Sequence, residues 1–357
     1  MVAVWYCTRE DVKRALDVAE TARSNRQVDR AIESASRTIE GRLHRKFYPQ
    51  VDTRSFDWPN SQRARPWRLW LDANEVVSVI DLVSGGVTIS PSGYVLYPTD
   101  GPPYTRIEIN LGSSAAFGSG ATHQQSIELT AVYGHSAEEA PAGTLAAAIA
   151  TTSATSVNVS DSAAIGVGDI IKAGDELMIV TGKGMLDTGQ NLGGNLTAQA
   201  SSVTVAVTTG SAYAADEVIL IDSERMLVVD IAGNNLTVKR AWDGSTLAAH
   251  TAGADIYAPR TLTVQRGALG TTAATHSNGA AIVRHLVPGL IRDTAIALAI
   301  AQLLGEQSGY ARPETRSAPS GSVSASRQRT QEVGRGVGDV LADAYAAYGR
   351  KARTRGV

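Results

Sequence analysis

QVDRAIESASRTIEGRLHRKFY, residues 27–48, carries apolar side chains at Val28, Ile32, Ala35, Ile39, Leu43 and Phe47. Spacings of three and four put them on one face of a helix. Asp29, Arg30, Glu33, Arg37, Glu40, Arg42, Arg45 and Lys46 cover the opposite face. Pro49 disfavours helical geometry at Tyr48, so the reading is a helix over 26–48 that stops there. Such a helix, about 30 Å long, needs a partner for its stripe. Working back, Thr8 is a candidate N-cap with Asp11 three residues on. Val12, Leu16 and Ala19 then make a short apolar face, giving a helix over 8–22 and an α-hairpin joined at Ser24-Asn25.

Beyond Pro49 the period changes. Leu69 and Leu71, the run Val76–Val83, Tyr94–Tyr97, the alternation Ile107-Glu108-Ile109-Asn110-Leu111 and Ile127–Tyr133 read as short strands within 68–133. Residues 50–135 are expected to form a small antiparallel sheet, one face of which receives the helices. From about Glu138 to His285 the composition turns to Ala, Thr, Gly and Val, with eight Lys/Arg against twelve Asp/Glu between Ala140 and Leu286. Leu236-Thr237-Val238-x-Arg240, Gly244, Thr246, Ala248, His250, Gly253 and Ile256 return 26 residues later as Leu262-Thr263-Val264-x-Arg266, Gly270, Thr272, Ala274, His276, Gly279 and Ile282. A weaker echo at an offset of 48 links Asp169, Glu176, Met178 and Val180 to Glu217, Glu224, Met226 and Val228. Repeated strand–turn–strand units imply an all-β segment built by duplication. Val287-Pro288 opens a further helix over 287–311. Residues 312–357 read as an extended arm, rich in Ser, Gly, Pro and Arg as far as 338, with a short last helix around Val340–Tyr348.

The 357 residues, with a net charge of -2, do not make a basic nucleic-acid binder. A single cysteine, Cys7, forms no internal disulfide and fits synthesis in a reducing cytoplasm. It reads as a small buried residue, since nothing near it in sequence activates the thiol. No signal peptide is read at Met1–Tyr6. The longest apolar run, Ala295–Leu304, is about half of a membrane span, so no membrane partner is expected.

The order of helix pair, Arg45-Lys46-Phe47-Tyr48-Pro49, short strands, Ala131-Val132-Tyr133-Gly134-His135 and then VPGLIRDTAIALAIAQLL (287–304) resembles the head–tail connector family of tailed bacteriophages, the adaptor or head-completion proteins. In that family a strand ending in Tyr-Gly leads straight into a Val-Pro helix. Here about 150 residues separate the two half-motifs. The resemblance therefore covers 1–136 and 287–357, and 137–286 reads as an inserted all-β domain, because insertions succeed where chain ends lie close. It implies an α+β connector core at 1–136, completed by the helix at 287–311. It also implies a homo-oligomeric, dodecameric ring in the virion neck, docked on the portal and meeting the next neck or tail-completion protein. Double-stranded DNA would pass through its channel without sequence-specific binding.

Candidate functional residues fall into groups. Arg63, Arg65, Trp67, Arg68 and Trp70 interleave cations with aromatics. They can stack on nucleic acid, pack inward, or serve as a subunit interface, where Trp and Arg are enriched; the interface reading is preferred. Arg312, Arg316, Arg327, Arg329, Arg335, Leu341, Tyr345 and Tyr348 are candidate portal contacts of the arm, with phosphate neutralisation as the competing role of the arginines. His250 and His276 recur without a recurring ligand set beside them, which favours turn hydrogen bonding over a metal. His44 reads as part of a solvated basic face. Asp169, Asp175, Glu176, Asp222 and Glu224 fit no calcium loop and read as exposed turn carboxylates. Gly182-Lys183-Gly184 lacks the rest of a phosphate loop, and no Gly-x-Ser-x-Gly occurs. The expectation is a structural virion protein with no catalytic residue, cofactor or metal. The alternative is a scaffold whose β domain binds carbohydrate or another phage protein. A hydrolase would need Asp175, Glu176 and Glu224 to do acid–base work.

Overall fold

Thr8 starts the first helix by a reciprocal cap: its Oγ1 accepts from Asp11 N–H at 3.1 Å, and the Asp11 carboxylate accepts from Thr8 N–H at 3.0 Å. The computed structural model describes residues 3–16, 24–59, 65–307 and 325–350. The chain is a mixed α+β protein, mostly sheet with few helices. Helix α1 is Arg9–Ala15; the far end of the expected 8–22 helix lies outside the described residues. Helix α2 is Asn25–Leu43 and ends five residues before Tyr48. His44 adopts left-handed geometry at φ 54° and donates its N–H to Glu40 O at 2.8 Å. The chain thereby leaves the helix axis and turns Phe47 and Tyr48 into the core. Pro49 limited how far the helix could run, but His44 decides where it stops.

Strand β1 is Gln50–Phe56, β2 Arg68–Trp70, β3 Val76–Ser84, β4 Val87–Thr88, β5 Tyr94–Tyr97, β6 Arg106–Ile109 and β7 Ile127–Tyr133. They form two sheets instead of the single one expected, in the orders β1-β7-β3-β4 and β2-β6-β5. Their alternating residues Leu69, Val76, Leu82, Ile107, Ile127 and Leu129 close a core of their own. Leu111 falls beyond β6 and is 72% exposed.

Strands β8 (Glu139–Thr144), β9 (Ser156–Asn158), β10 (Ile170–Ala173), β11 (Glu176–Asn191), β12 (Thr204–Ala206), β13 (Val218–Ile221), β14 (Glu224–Ala232), β15 (Asn235–Lys239), β16 (Asp255–Gln265) and β17 (Ala281–His285) form one ten-stranded sheet. Its two ends in sequence lie side by side, with Glu139 paired to His285 and Leu286 N–H donating to Glu138 O at 2.8 Å. The sheet wraps two copies of one motif. The inner copy, about 192–256, sits between the halves of the outer copy, about 144–180 and 260–282. Their cores match position for position: Leu145 with Leu192, Val157 with Val205, Ile171 with Ile219, Met178 with Met226, Val180 with Val228, Leu262 with Leu236 and Ile282 with Ile256. Backbone bonds match too: Ile149 N–H donates to His276 O, and Leu196 N–H to His250 O. An offset of 47 or 48 upstream and 26 downstream is what such nesting leaves in the sequence.

Helix α3 is Gly289–Gln307 and α4 is Ala325–Tyr348. An extended arm was expected to 338. Residues 312–324 lie outside the described ones, and from Ala325 the chain is helical despite Gly334, Gly336 and Gly338. Arg and Gln, both good helix formers, supply five of residues 325–338. Among the described residues no helix is long and apolar enough to cross a membrane.

The stripe of α2 meets Ile291, Ala295, Ala299 and Leu303 of α3 and Ala344 of α4. Its sheet partner is not the 50–135 region, as expected, but the outer copy. Ile170, Leu177, Ile179 and Ala268 complete the helical core. β10 and β11 are apolar on both faces, so Ile171, Met178 and Val180 fill the copy's interior while their neighbours meet the helices. Truncating a fully buried member such as Ile39 to alanine costs about 2–5 kcal/mol.

Candidate interaction surface

The three-stranded sheet is apolar on one side, where Leu69, Ile107 and Ile109 are buried. Strand alternation puts Arg68, Trp70, Arg106, Glu108, Val95 and Tyr97 on the other side. Register aligns Trp70, Arg106 and Tyr97 in one row and Arg68, Glu108 and Val95 in the next. The Arg106 guanidinium lies 4.3 Å from the Tyr97 ring centroid and 5.4 Å from that of Trp70. Arg68 Nε donates to Glu108 Oε1 at 2.5 Å. Stacked guanidinium groups of this kind contribute about 0.5–2 kcal/mol, and they hold a face that is partly open to solvent. Val95 at its edge is 37% exposed.

The sequence cluster thus divides. Arg68 and Trp70 belong to this face, Trp67 turns inward against the core of the 50–133 region, Arg65 is exposed, and Arg63 lies outside the described residues. Arg106, Glu108 and Tyr97 are members the sequence reading missed. The signal was the Arg106-Ile107-Glu108-Ile109 alternation beside Arg68 and Trp70, once register is known.

Of the arm candidates, Arg312 and Arg316 lie outside the described residues, and Arg327, Arg329 and Arg335 fall on α4. Leu341 and Tyr348 pack on the chain's own helical core. Tyr348 stands edge-on to Phe47 and His135, with centroids 5.8 and 5.3 Å away. Tyr345 points outward, 48% exposed.

The repeated histidines belong to two buried networks. Glu224 accepts both Arg240 Nε and Nη2 at 2.7 Å, the Ala241 and Ala248 N–H groups at 2.9 and 3.0 Å, and faces His250 Nε2 at 2.9 Å. Glu176 repeats this with Arg266 (2.6 and 2.8 Å), Gly267 and Ala274 (2.9 and 3.0 Å) and His276 Nε2 (2.8 Å). Burial opposes ionisation of both carboxylates. The guanidinium, imidazole and amide hydrogen bonds outweigh it and hold both at about 2. Glu176 and Glu224 are therefore buried staples for the turns 241–250 and 267–276, not the exposed turn carboxylates expected. The acidic partner of each histidine does recur, at the other offset. His250 has an extra partner, Asp222, at 2.7 Å, where the outer copy has Gly174. Asp175 is exposed. Asp169 is half-buried and accepts from Gly166 N–H at 2.7 Å. Burial raises it to about 7, against the smaller opposing effects of that bond and of Arg284. Among the described residues no group of three or more His, Cys, Asp or Glu is placed to hold a metal.

A cleft of about 570 Å³ separates α1 from the inner copy. Lys13 Nζ reaches across it to both Asp243 oxygens at 2.7 and 2.8 Å, and Arg225 meets the same carboxylate at 3.2 Å. No family model, curated protein or solved structure matches the chain.

Proposed function

We propose that the protein is a structural, non-enzymatic head–tail connector of a phage neck, a ring-forming adaptor carrying a β-rich insertion. One observation carries the reading: the two half-motifs of the resemblance adjoin the paired strand ends. Tyr133-Gly134 precedes Glu139 by a few residues, Val287-Pro288 follows His285, and Glu139 pairs with His285. The chain thus enters and leaves 137–286 through neighbouring strands, and α2 and α3, which flank it in sequence, form one helical layer.

In a ring each copy offers one patch to a different patch on its neighbour. The face of Arg68, Trp70, Arg106 and Tyr97 is suited to this, being preorganised by its own contacts and rich in the residue types that dominate interfaces. The portal would sit against one end of the ring, with exposed Tyr345 and the arginine-bearing start of α4 as contact candidates. Double-stranded DNA would thread the channel as a passive cargo.

The test is assembly. Light scattering and electron imaging of purified protein, alone and with portal rings, should show closed rings of about the portal's symmetry. Trp70→Ala with Arg106→Glu should leave a folded monomer. A wild-type chain that stays monomeric with portal present would overturn the proposal.

A further inference from the structure

The two copies present the same outer face to the helices but join them differently. In the outer copy, Ile170, Leu177, Ile179, Ala268 and Leu269 pack into the helical core. The matching inner-copy residues are Val218, Arg225, Leu227, Trp242 and Asp243, and all five line the 570 Å³ cleft facing α1. Two apolar contacts have become Arg225 and Asp243. Among the described residues, none of the buried apolar clusters joins the inner copy to the helices. What crosses the cleft is charge: Lys13 to Asp243, and Arg14 Nε to Asp216 at 3.7 Å.

The remaining attachment is the β11–β16 ladder. Its register slips three times between Val180 and Gln190, and β11 carries Gly182 and Gly184 there. Glycines and bulges weaken and bend a ladder. At its base Glu217 holds Arg260 Nε and Nη2 at 2.8 Å and meets Ser162 N and Oγ at 3.3 Å.

We infer that the inner copy is a hinged arm, latched onto α1 by the Lys13–Asp243 and Arg14–Asp216 ion pairs and pivoting on the bulged ladder beside Glu217. Opening uncovers Val218, Leu227 and Trp242, the positions by which the outer copy grips the helices. The latch is independent of ring assembly, and because its links are ionic, salt controls it. The screening length falls from about 30 Å at 0.01 M to about 3 Å at 1 M ionic strength. A partly exposed pair shifts the open-to-closed ratio by a factor of about 1.4–5.

Trp242, 6% exposed in the closed state, is the reporter. Acrylamide quenching is measured on the full chain, and the signal of Trp242→Phe is subtracted to isolate this one side chain. The quenching constant should rise between about 0.02 and 1 M sodium chloride, by no more than the change of about 1.4–5-fold per pair in the open-to-closed ratio. Lys13→Glu should show the raised value at low salt already, and Lys13→Glu with Asp243→Lys should bring it back down. Thermal melts and amide exchange in β10 and β11 establish that each variant is folded. A Trp242 signal flat across the salt range overturns the latch, and that arm needs no substitution in the latch itself.

Discussion

The inner and outer copies share a core, a buried Glu–Arg–His network and a chain of matching backbone bonds, yet one is welded to the helices and the other is held across a cleft. The difference lies where nothing inside the motif constrains it. Met178 and Met226, or Glu176 and Glu224, cannot change without opening a cavity or stranding a guanidinium. Leu177 and Arg225 occupy one position on the outer face and answer only to what lies opposite. Duplication preserved the interior and left the exterior free to diverge.

The largest effect should come from the networks. Replacing Glu176 or Glu224 with alanine leaves an arginine, a histidine and two amides without their acceptor, a loss of about 3–5 kcal/mol. In denaturant melts followed by amide exchange, Glu176→Ala should release the helices together with the outer copy. Glu224→Ala should release the inner copy first. If both variants lose the same protected amides, the copies are one cooperative unit and the contrast between them fails.

Leu177→Arg comes next, since it imposes the inner copy's residue where the helical core leaves only 6% of the leucine exposed. An unpaired buried cation should cost about 3 kcal/mol or more, read as a drop in the midpoint of unfolding. The reverse exchange, Arg225→Leu, should change stability by no more than about 0.5 kcal/mol.

Titration separates Asp169 from the network carboxylates by sign. Glu176 and Glu224, held at about 2 against an ordinary 4.5, stabilise the fold above pH 4.5, and that contribution disappears as pH falls toward 2. Asp169, raised from 3.8 to about 7, works the other way. Its burial is harmless while it is protonated and destabilises progressively as pH rises from 3.8 through 7. Asp169→Asn should therefore raise the melting temperature at pH 8 and leave it nearly unchanged at pH 3. Glu217→Gln, at the matching inner position, should lower it at pH 8, because Arg260 loses its charged partner.

The smallest effect belongs to Asp222, the carboxylate beside His250 that the outer copy lacks. Its side chain is 63% exposed, so Asp222→Gly should cost no more than about 1 kcal/mol. A larger loss in a chemical melt would mark the extra carboxylate as part of the buried network.

Much of this was legible in the chain. The period of Val28, Ile32, Ala35, Ile39 and Leu43 gave α2 and its buried face, and alternation gave β6 and β7. The duplication was visible because turn glycines and network residues are constrained in type. Its nesting was not, because two different offsets look like two unrelated repeats until Leu262 and Met178 are seen in one core. The helix layer's partner was misjudged because Ile170, Ile171, Leu177, Met178, Ile179 and Val180 show no alternation, and a strand apolar on both faces does not declare two neighbours. The Arg–Trp face was half legible: Arg68 and Trp70 stood out, whereas Arg106 and Tyr97 are brought to them by strand register. The acid at each repeated histidine hid 26 residues upstream of His250 and 100 upstream of His276.

Nesting also sets a timetable for synthesis. A ribosome releases Leu145 through Val180, half of a hydrophobic interior, and must then translate about 80 further residues before Leu262 emerges to cover it. At about 5–20 residues per second that wait lasts about 4–16 s. During that interval the inner copy can complete itself, while the outer half and the stripe of α2 both await late-arriving partners. Chaperone dependence in a producing cell should therefore track the outer copy's exposed half, and supplying that half's missing strands in trans should relieve it.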